Sequence, residues 1–376
     1  MSALRVLTVT PRYLPEIGGV ERHVHEVATR VAAAGCEVTV LTTDRSGELA
    51  PADSDGPVVV RRVPAYPKGR DWLFAPGVRK VVGAGGWDVV HIQSYHTFVA
   101  PLAMRAAAKA GIPFVVTFHG GGHSSTLRHR SRGVQRTVLR PLLARADRLV
   151  AVASFEIDEY ARELRLPRAR FVLIPNGVDL PEPSSDGAVL DTLPRGAPLI
   201  ASVGRLEEYK GHQRVLAAFP EVLAAEPGAR LWIAGSGPYE PELHRLAATL
   251  GVADRVDIRA VAAGDRGVMA AALARTDVVV LLSEFETHPI AALEALSVGR
   301  PLVVADGSGL GELAARGLAR AIPIGASPHV AAEAILRELR DPLPARELDL
   351  PTWDDCADAL FRLYCDVVAA KVPCAS

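Results

Sequence analysis

Several things are scarce in this chain, and each shortage removes a class of protein. No apolar run among its 376 residues approaches the roughly 20 consecutive positions that a membrane-spanning helix needs. The N-terminus carries one arginine followed by a short strand pattern, too short for the core of a signal peptide. The expected location is therefore cytoplasmic. Cys36, Cys356, Cys365 and Cys374 lie far apart with no C-x-x-C spacing, which indicates neither a zinc site nor a disulfide framework. Aromatic residues make up 5% of the chain, and its basic half lacks an aromatic-rich surface for stacking bases, so no nucleic acid is expected as a partner. Gly18-Gly19, which opens the first helix pattern, is not the Gly-x-Gly-x-x-Gly dinucleotide fingerprint, and a dehydrogenase loses ground.

What remains is an ordinary globular composition, 49% hydrophobic, long enough for two domains that each bury a core. The net charge of −1 conceals an asymmetry. Residues 1–180 hold 24 Lys/Arg against 16 Asp/Glu, a balance of +8, and residues 181–376 hold 18 against 27, a balance of −9. Such halves can steer an anionic partner to the first domain or attract each other.

Short β-branched runs alternate with helical patterns throughout. In the first half they are 4–10, 37–42, 58–63, 87–92, 113–118, 148–153 and 171–174. In the second they are 199–203, 231–234, 255–258, 277–282, 301–304 and 321–324. Strands without polar alternation imply parallel sheets covered on both faces. A Pro/Ser/Gly-rich stretch at 180–197 reads as a linker. The expectation is two doubly wound α/β domains, 1–180 and 181–351, with ligands at the carboxyl ends of the strands. A final amphipathic helix over 352–370 presents Trp353, Cys356, Ala357, Leu360, Phe361, Tyr364, Cys365 and Val368 on one face, with both cysteines read as core.

Five segments at expected strand ends could carry chemistry. Gly18-Gly19 precedes a helix whose N-terminus favours anions. Thr117-Phe-His119-Gly-Gly-Gly122 places a histidine at a strand end. Its H-x3-H spacing with His123 would suit a metal on a helix, but three intervening glycines argue against a helix. Ser202-Val-Gly204-Arg205-Leu-Glu-Glu-Tyr-Lys210-Gly-His sets two cations between strand and helix, a pair suited to a diphosphate. Ala234-Gly235-Ser-Gly237-Pro either lines a nucleotide pocket or turns the chain. Glu286 sits on the turn after the 277–282 strand, and Glu294, eight residues on, falls about two turns into the next helix.

In this order, and joined by Ile174-Pro-Asn-Gly177-Val-Asp179, these segments resemble the family-4 retaining glycosyltransferases of the GT-B fold. The resemblance spans nearly the whole chain, including Trp353 at the start of the last helix. It implies two Rossmann-like domains facing a cleft, with the C-terminal helix crossing back to the first. It also implies a nucleotide-sugar donor held mainly by the second domain and a hydroxyl acceptor held mainly by the first. By motif position, Arg205 and Lys210 would hold the diphosphate, Glu286 and His119 would face the transferred sugar, and Glu294 would bind the ribose. Gly18, Gly19, Gly235, Gly237, His288 and Ile290 would complete the donor site. No Asp-x-Asp follows any of the strand runs read above, and no metal or other cofactor is expected, because cations and helix-end amides would neutralise the departing diphosphate.

Two positions depart from the pattern. After Glu286 many relatives have Gly-Phe-Gly, where this chain has Thr287-His288-Pro289, whose proline lacks an N–H. Arg259-Ala-Val-Ala lacks a glycine usual near the base-binding strand end, so the nucleobase stays open. The reading is transfer of a hexose-type sugar, from a UDP-sugar by preference, to a soluble small-molecule hydroxyl. One alternative is transfer to a lipid at the inner membrane face, suggested by the arginines and apolar stripe of residues 128–145. Others are a nucleotide-sugar epimerase of the same architecture and a degenerate sugar-nucleotide binding module.

Overall fold

The computed structural model describes residues 3–16, 18–68, 74–120, 126–184, 187–194, 196–262, 264–344 and 350–371, with backbone alone at 126–134 and 188. The chain divides into two compact units. The first comprises residues 1–120, 127–177 and 351–376, and the second residues 121–126 and 178–350.

The first unit holds β1 (Arg5–Val9), β2 (Glu37–Asp44), β3 (Ala52–Asp55), β4 (Val58–Pro64), β5 (Val89–Gln93), β6 (Phe114–Thr117), β7 (Arg148–Ala151) and β8 (Phe171–Leu173). Their order across the sheet is β3-β4-β2-β1-β5-β6-β7-β8. All neighbours run parallel except β3 against β4. Near-continuous valine, isoleucine and leucine bury both sides of the central strands, as in Val89–Gln93, where all five residues are buried. The β3–β4 hairpin was not expected. Ala-Asp-Ser-Asp has no apolar signal and is almost wholly exposed, so it pairs only at the sheet edge, through a tight turn at Gly56 with φ 56°.

The helix Trp353–Ala369 belongs to this first unit and packs on the helix Gly19–Ala33. Its buried face is Trp353, Cys356, Ala357, Leu360, Leu363, Tyr364 and Val367, a 3-4 spacing that follows the helical repeat. This corrects the expected face. Cys365 follows Tyr364 by one residue, about 100° around the helix, and is exposed, while only Cys356 lies in the core. Thr352 starts the helix with a capping box: its hydroxyl accepts from the Asp355 N–H, and the Asp355 carboxylate accepts from the Thr352 N–H.

The second unit holds β9 (Leu199–Val203), β10 (Arg230–Ala234), β11 (Val256–Ile258), β12 (Val278–Leu281), β13 (Leu302–Asp306) and β14 (Arg320–Pro323). They form a parallel sheet in the order β11-β10-β9-β12-β13-β14. Strand order reverses between β9 and β12, and between β1 and β5 in the first unit. At such switch points the loops leaving the two carboxyl ends diverge and leave a crevice for a ligand. The stretch expected to be a plain linker contains a short helix, Ala188–Thr192, whose Val189 and Leu190 are buried with Leu193 in the second core.

Candidate active site

The β9 loop is shaped by contacts that tolerate no side chain at two places. A Cβ on Gly235 would stand 1.9 Å from the Gly204 carbonyl oxygen, and one on Gly237 would stand 2.4 Å from that of Leu206. Packing of the β10 turn under the β9 loop therefore accounts for both glycines. Beneath the same loop His212 bridges Ser202 Oγ (2.8 Å) and the carbonyl of Arg205 (3.2 Å). Burial pushes its pKa down to about 4, so the ring is neutral. Its Nε2–H donates to Arg205 O and its Nδ1 accepts from Ser202. His212 went unread in the sequence, although it directly follows Lys210-Gly211.

That scaffold presents the two expected cations differently. Arg205 is exposed, with Nη1 2.7 Å from Glu207 Oε1 and Nη2 donating to Tyr209 Oη at 3.0 Å. Lys210 is sheltered, and its Nζ donates to Glu286 Oε1 at 2.6 Å. Burial works against the ammonium charge, but the Glu286 carboxylate outweighs it and the lysine pKa stands above its ordinary value.

Glu286 lies after β12, on the turn expected for it. Ser283 Oγ donates to the same carboxylate oxygen at 2.9 Å, and the Glu286 N–H donates to Ser308 Oγ at 2.9 Å. Ser308 adopts φ 49°, an uncommon conformation for a residue with a Cβ, held in place at the end of β13. The next residue, Gly309, donates its N–H to Glu286 O at 2.7 Å. Thr287 is buried, His288 is half-buried, and Pro289 precedes the helix Ile290–Ser297. Because that helix begins only at Ile290, Glu294 falls about one turn into it, not two. Glu294 is buried and ion-paired with Arg266, which opens the helix Arg266–Arg275. Nothing local in sequence signals that pairing, which joins two different helices.

In the first unit, His119 follows β6 and is 8% exposed. Its Nε2 meets Gln93 Oε1 at 2.7 Å. His23, one turn into the helix that starts at Gly19, lies edge-on to it with ring centroids 4.8 Å apart. His23 Nδ1 is 2.8 Å from Asn176 Oδ1, and its ring stands 6.0 Å from that of Trp353. Burial lowers the pKa of His23 to about 4 and that of His119 well below the ordinary value, the neighbouring histidines adding to the second shift. Glu156 takes the Gly120 N–H (3.2 Å) and the Val152 N–H (2.9 Å), and burial raises its pKa to about 8. The sequence reading singled out His119 but passed over His23, Gln93 and Glu156. The available signal was polar residues within apolar strands and helix faces, as in Val89-Val-His-Ile-Gln93.

Gly18 and Gly19 do mark the entry to the first helix, with extended backbone at Gly18 and open space at the Cβ position of Gly19. His123, the second half of the H-x3-H spacing, lies outside the described residues, as do the side chains of Arg128, Arg130 and Arg132. Arg136 and Arg140 are engaged within the first unit. Arg136 pairs with Glu159, Glu163 and Tyr95 Oη, and Arg140 Nε donates to Leu164 O at 2.7 Å. No helix among the described residues is long and apolar enough to cross a membrane.

Two doubly wound parallel sheets, with cations, carboxylates and hydroxyls gathered at the switch point of the second, form an architecture of the GT-B class. Residues 17–182 match the family described as Glycosyltransferase Family 4, and residues 191–349 match Glycosyl transferases group 1. The glycogen synthase of Mycobacterium tuberculosis is 31% identical over 342 residues, covering 84% of this chain and 81% of the relative. The D-inositol 3-phosphate glycosyltransferase 2 of Catenulispora acidiphila is 30% identical over 367 residues, covering 89% and 85%. The chain belongs to the family-4 glycosyltransferases. Among solved structures, the sucrose-phosphate synthase of Thermosynechococcus elongatus superposes with a TM-score of 0.80 at 20% identity, over 98% of this chain and all of that one. Anabaena HepE in complex with UDP and glucose superposes with a TM-score of 0.72 at 21% identity, over 97% and 96%.

Proposed function

We propose that this enzyme transfers a hexose-type sugar from a UDP-sugar to a hydroxyl of a soluble acceptor, with retention of configuration and without a metal ion. The observation that carries the reading is the cluster of Arg205, Lys210, Ser283 and Glu286 around the β9 and β12 loops. It joins a guanidinium and an ammonium, which suit a diphosphate, to a carboxylate that can accept from sugar hydroxyls. As the diphosphate leaves, Lys210 and Arg205 would neutralise the charge that develops on it, which is the main electrostatic task of this chemistry. Glu294, steadied by Arg266, would receive the ribose hydroxyls. His119, neutral and sheltered, would serve a substrate hydroxyl, and no separate catalytic base is assigned.

The preference for UDP draws on the HepE complexes, whose ligands are UDP, glucose and UDP-glucose. A soluble acceptor is favoured over a lipid because Arg136 is neutralised by Glu159 and Glu163 within its own unit and so adds little attraction to an anionic membrane surface. The test is a thermal-shift panel of UDP-, GDP-, dTDP- and ADP-sugars with and without EDTA, followed by NMR of the transfer product. Protection by a UDP-sugar that survives EDTA, and an anomeric configuration preserved in the product, are expected. A strict metal requirement for transfer would refute the mechanism, and epimerised sugar nucleotide formed without acceptor would replace it with the epimerase.

A further inference from the structure

Strand β5 carries two polar residues, His91 and Gln93, among valines and isoleucine, and both are buried, Gln93 at 2% exposure. A buried amide is costly unless its oxygen and its NH₂ group both find partners. Gln93 Oε1 meets His119 Nε2 at 2.7 Å, and Gln93 Nε2 lies 3.3 Å from both ring nitrogens of His91. Those two nitrogens are already engaged by hydroxyls, Tyr364 Oη at 2.5 Å and Thr117 Oγ1 at 2.7 Å. The Gln93 amide therefore sits across the electron-rich ring of His91, not end-on to an N–H. That placement suits its NH₂ group and would repel its carbonyl, so the orientation of the amide is decided by His91. The carbonyl must then face His119, and a carbonyl can only accept.

We propose that Gln93 is a positioning residue: by accepting from Nε2–H it selects one tautomer of His119 and keeps Nδ1 as an acceptor for a substrate hydroxyl. The inference rests on the reading above, in which His119 serves a substrate hydroxyl. The other groups around His119 are His23 from the helix Gly19–Ala33, His91 of β5, His96 after β5, and Glu156, which reaches the adjacent Gly120 N–H. The histidines oppose a second proton on the ring, and among the described residues Nδ1 has no hydrogen-bond partner.

The test uses the full chain carrying nitrogen-15 histidine, with the His119 signals assigned by comparison with His119→Asn. In the unsubstituted protein His119 should show an Nε2–H tautomer. Gln93→Leu should give a mixture of tautomers and about a tenfold loss of turnover with UDP-glucose, the effect of one hydrogen bond. Gln93→Glu preserves shape but adds a carboxylate that holds an extra proton on the pair, so Nδ1 becomes a donor. That variant should be slow at neutral pH and recover as pH rises, while the unsubstituted enzyme shows no such limb. A structural role alone would not produce this pH profile. An unchanged tautomer in Gln93→Leu, or an unchanged profile in Gln93→Glu, with His119→Asn inactive, would overturn the role of Gln93 alone. Full activity in His119→Asn would instead remove His119 from the proposed function.

Discussion

His23, His91 and His119 in the first unit and Lys210, Glu286, Arg266 and Glu294 in the second are all sheltered polar groups, yet they are held in opposite electrical states. The histidines are neutral. Burial drives His23 to about 4 and His91 to about 3, and the partners that the three rings do have, such as Asn176, Tyr364 and Gln93, are uncharged. The second set is ionised and paired, Lys210 with Glu286 and Arg266 with Glu294. Neutral donors and acceptors match hydroxyls without a large desolvation cost. Paired ions keep a cation ready for a diphosphate while a carboxylate compensates it in the meantime. Two sheets that share the same reversal of strand order thus present different chemistry, because the polar residues they carry differ.

The contrast can be broken most severely at Lys210. Lys210→Ala should lower transfer by about a thousandfold, since a cation placed for the leaving group is lost and Glu286 is left uncompensated. Initial rates at saturating UDP-glucose measure this, and a drop below tenfold would mean that the ion pair is only structural. On the other side, Trp353→Ala should cost the first unit about 3–5 kcal/mol by emptying the space under the last helix. Calorimetry would read the loss, while UDP binding, assigned to the second unit, should survive at temperatures where both units remain folded.

Acid should separate the units more gently. A buried neutral histidine binds protons less tightly folded than unfolded, so its stabilisation is complete above the ordinary value of 6.5 and is lost as pH falls toward about 4 for His23 and about 3 for His91. Glu156 has the opposite sign. With its pKa raised to about 8 it favours the folded state at low pH and loses that contribution as pH rises from 4.5. Three histidines, His119 included, outweigh this one carboxyl in the first unit, whereas the second has His212 as its counterpart. From about pH 7 to about pH 5, hydrogen-exchange protection, measured against the intrinsic rate at each pH, should therefore fall more in β5 and β6 than in β9 and β12. The smallest effect is expected at Ser283→Ala. Removing one of two donors to Glu286 should weaken UDP-glucose binding about fivefold, measurable by titration calorimetry, with Lys210 still in place.

How far these features could be read in advance differs from residue to residue. The strands came through because each is a run of apolar β-branched residues, and β3 did not because three of its four residues are polar and it pairs only at an edge. Arg205, Lys210 and Glu286 were visible as charged residues directly after apolar strands, and the structure brings Lys210 and Glu286 into contact. Gly235 and Gly237 were visible too, but their close approach to backbone carbonyls explains them without a ligand. Ser308 and Arg266 carried no local signal, because their partners Glu286 and Glu294 lie on another loop and another helix, whereas Ser283 and His212, with partners within ten residues, were passed over. Cys365 was misjudged because a single step along a helix turns a side chain by about 100°.

Local pattern was thus sufficient for two parallel α/β units, a final amphipathic helix and the motifs that carry the family resemblance, since periodicity and strand-end residues are properties of neighbours in sequence; that the last helix returns to the first unit was implied by the resemblance alone. Which charges pair, which histidines stay neutral and which glycines are demanded by packing depend on contacts between residues tens to hundreds of positions apart. Gln93 meets His119 and His91 meets Tyr364 only once the sheet has formed and the last helix has docked. The energies that set those states, desolvation and ion pairing, are fixed by burial, and burial exists only in the folded chain.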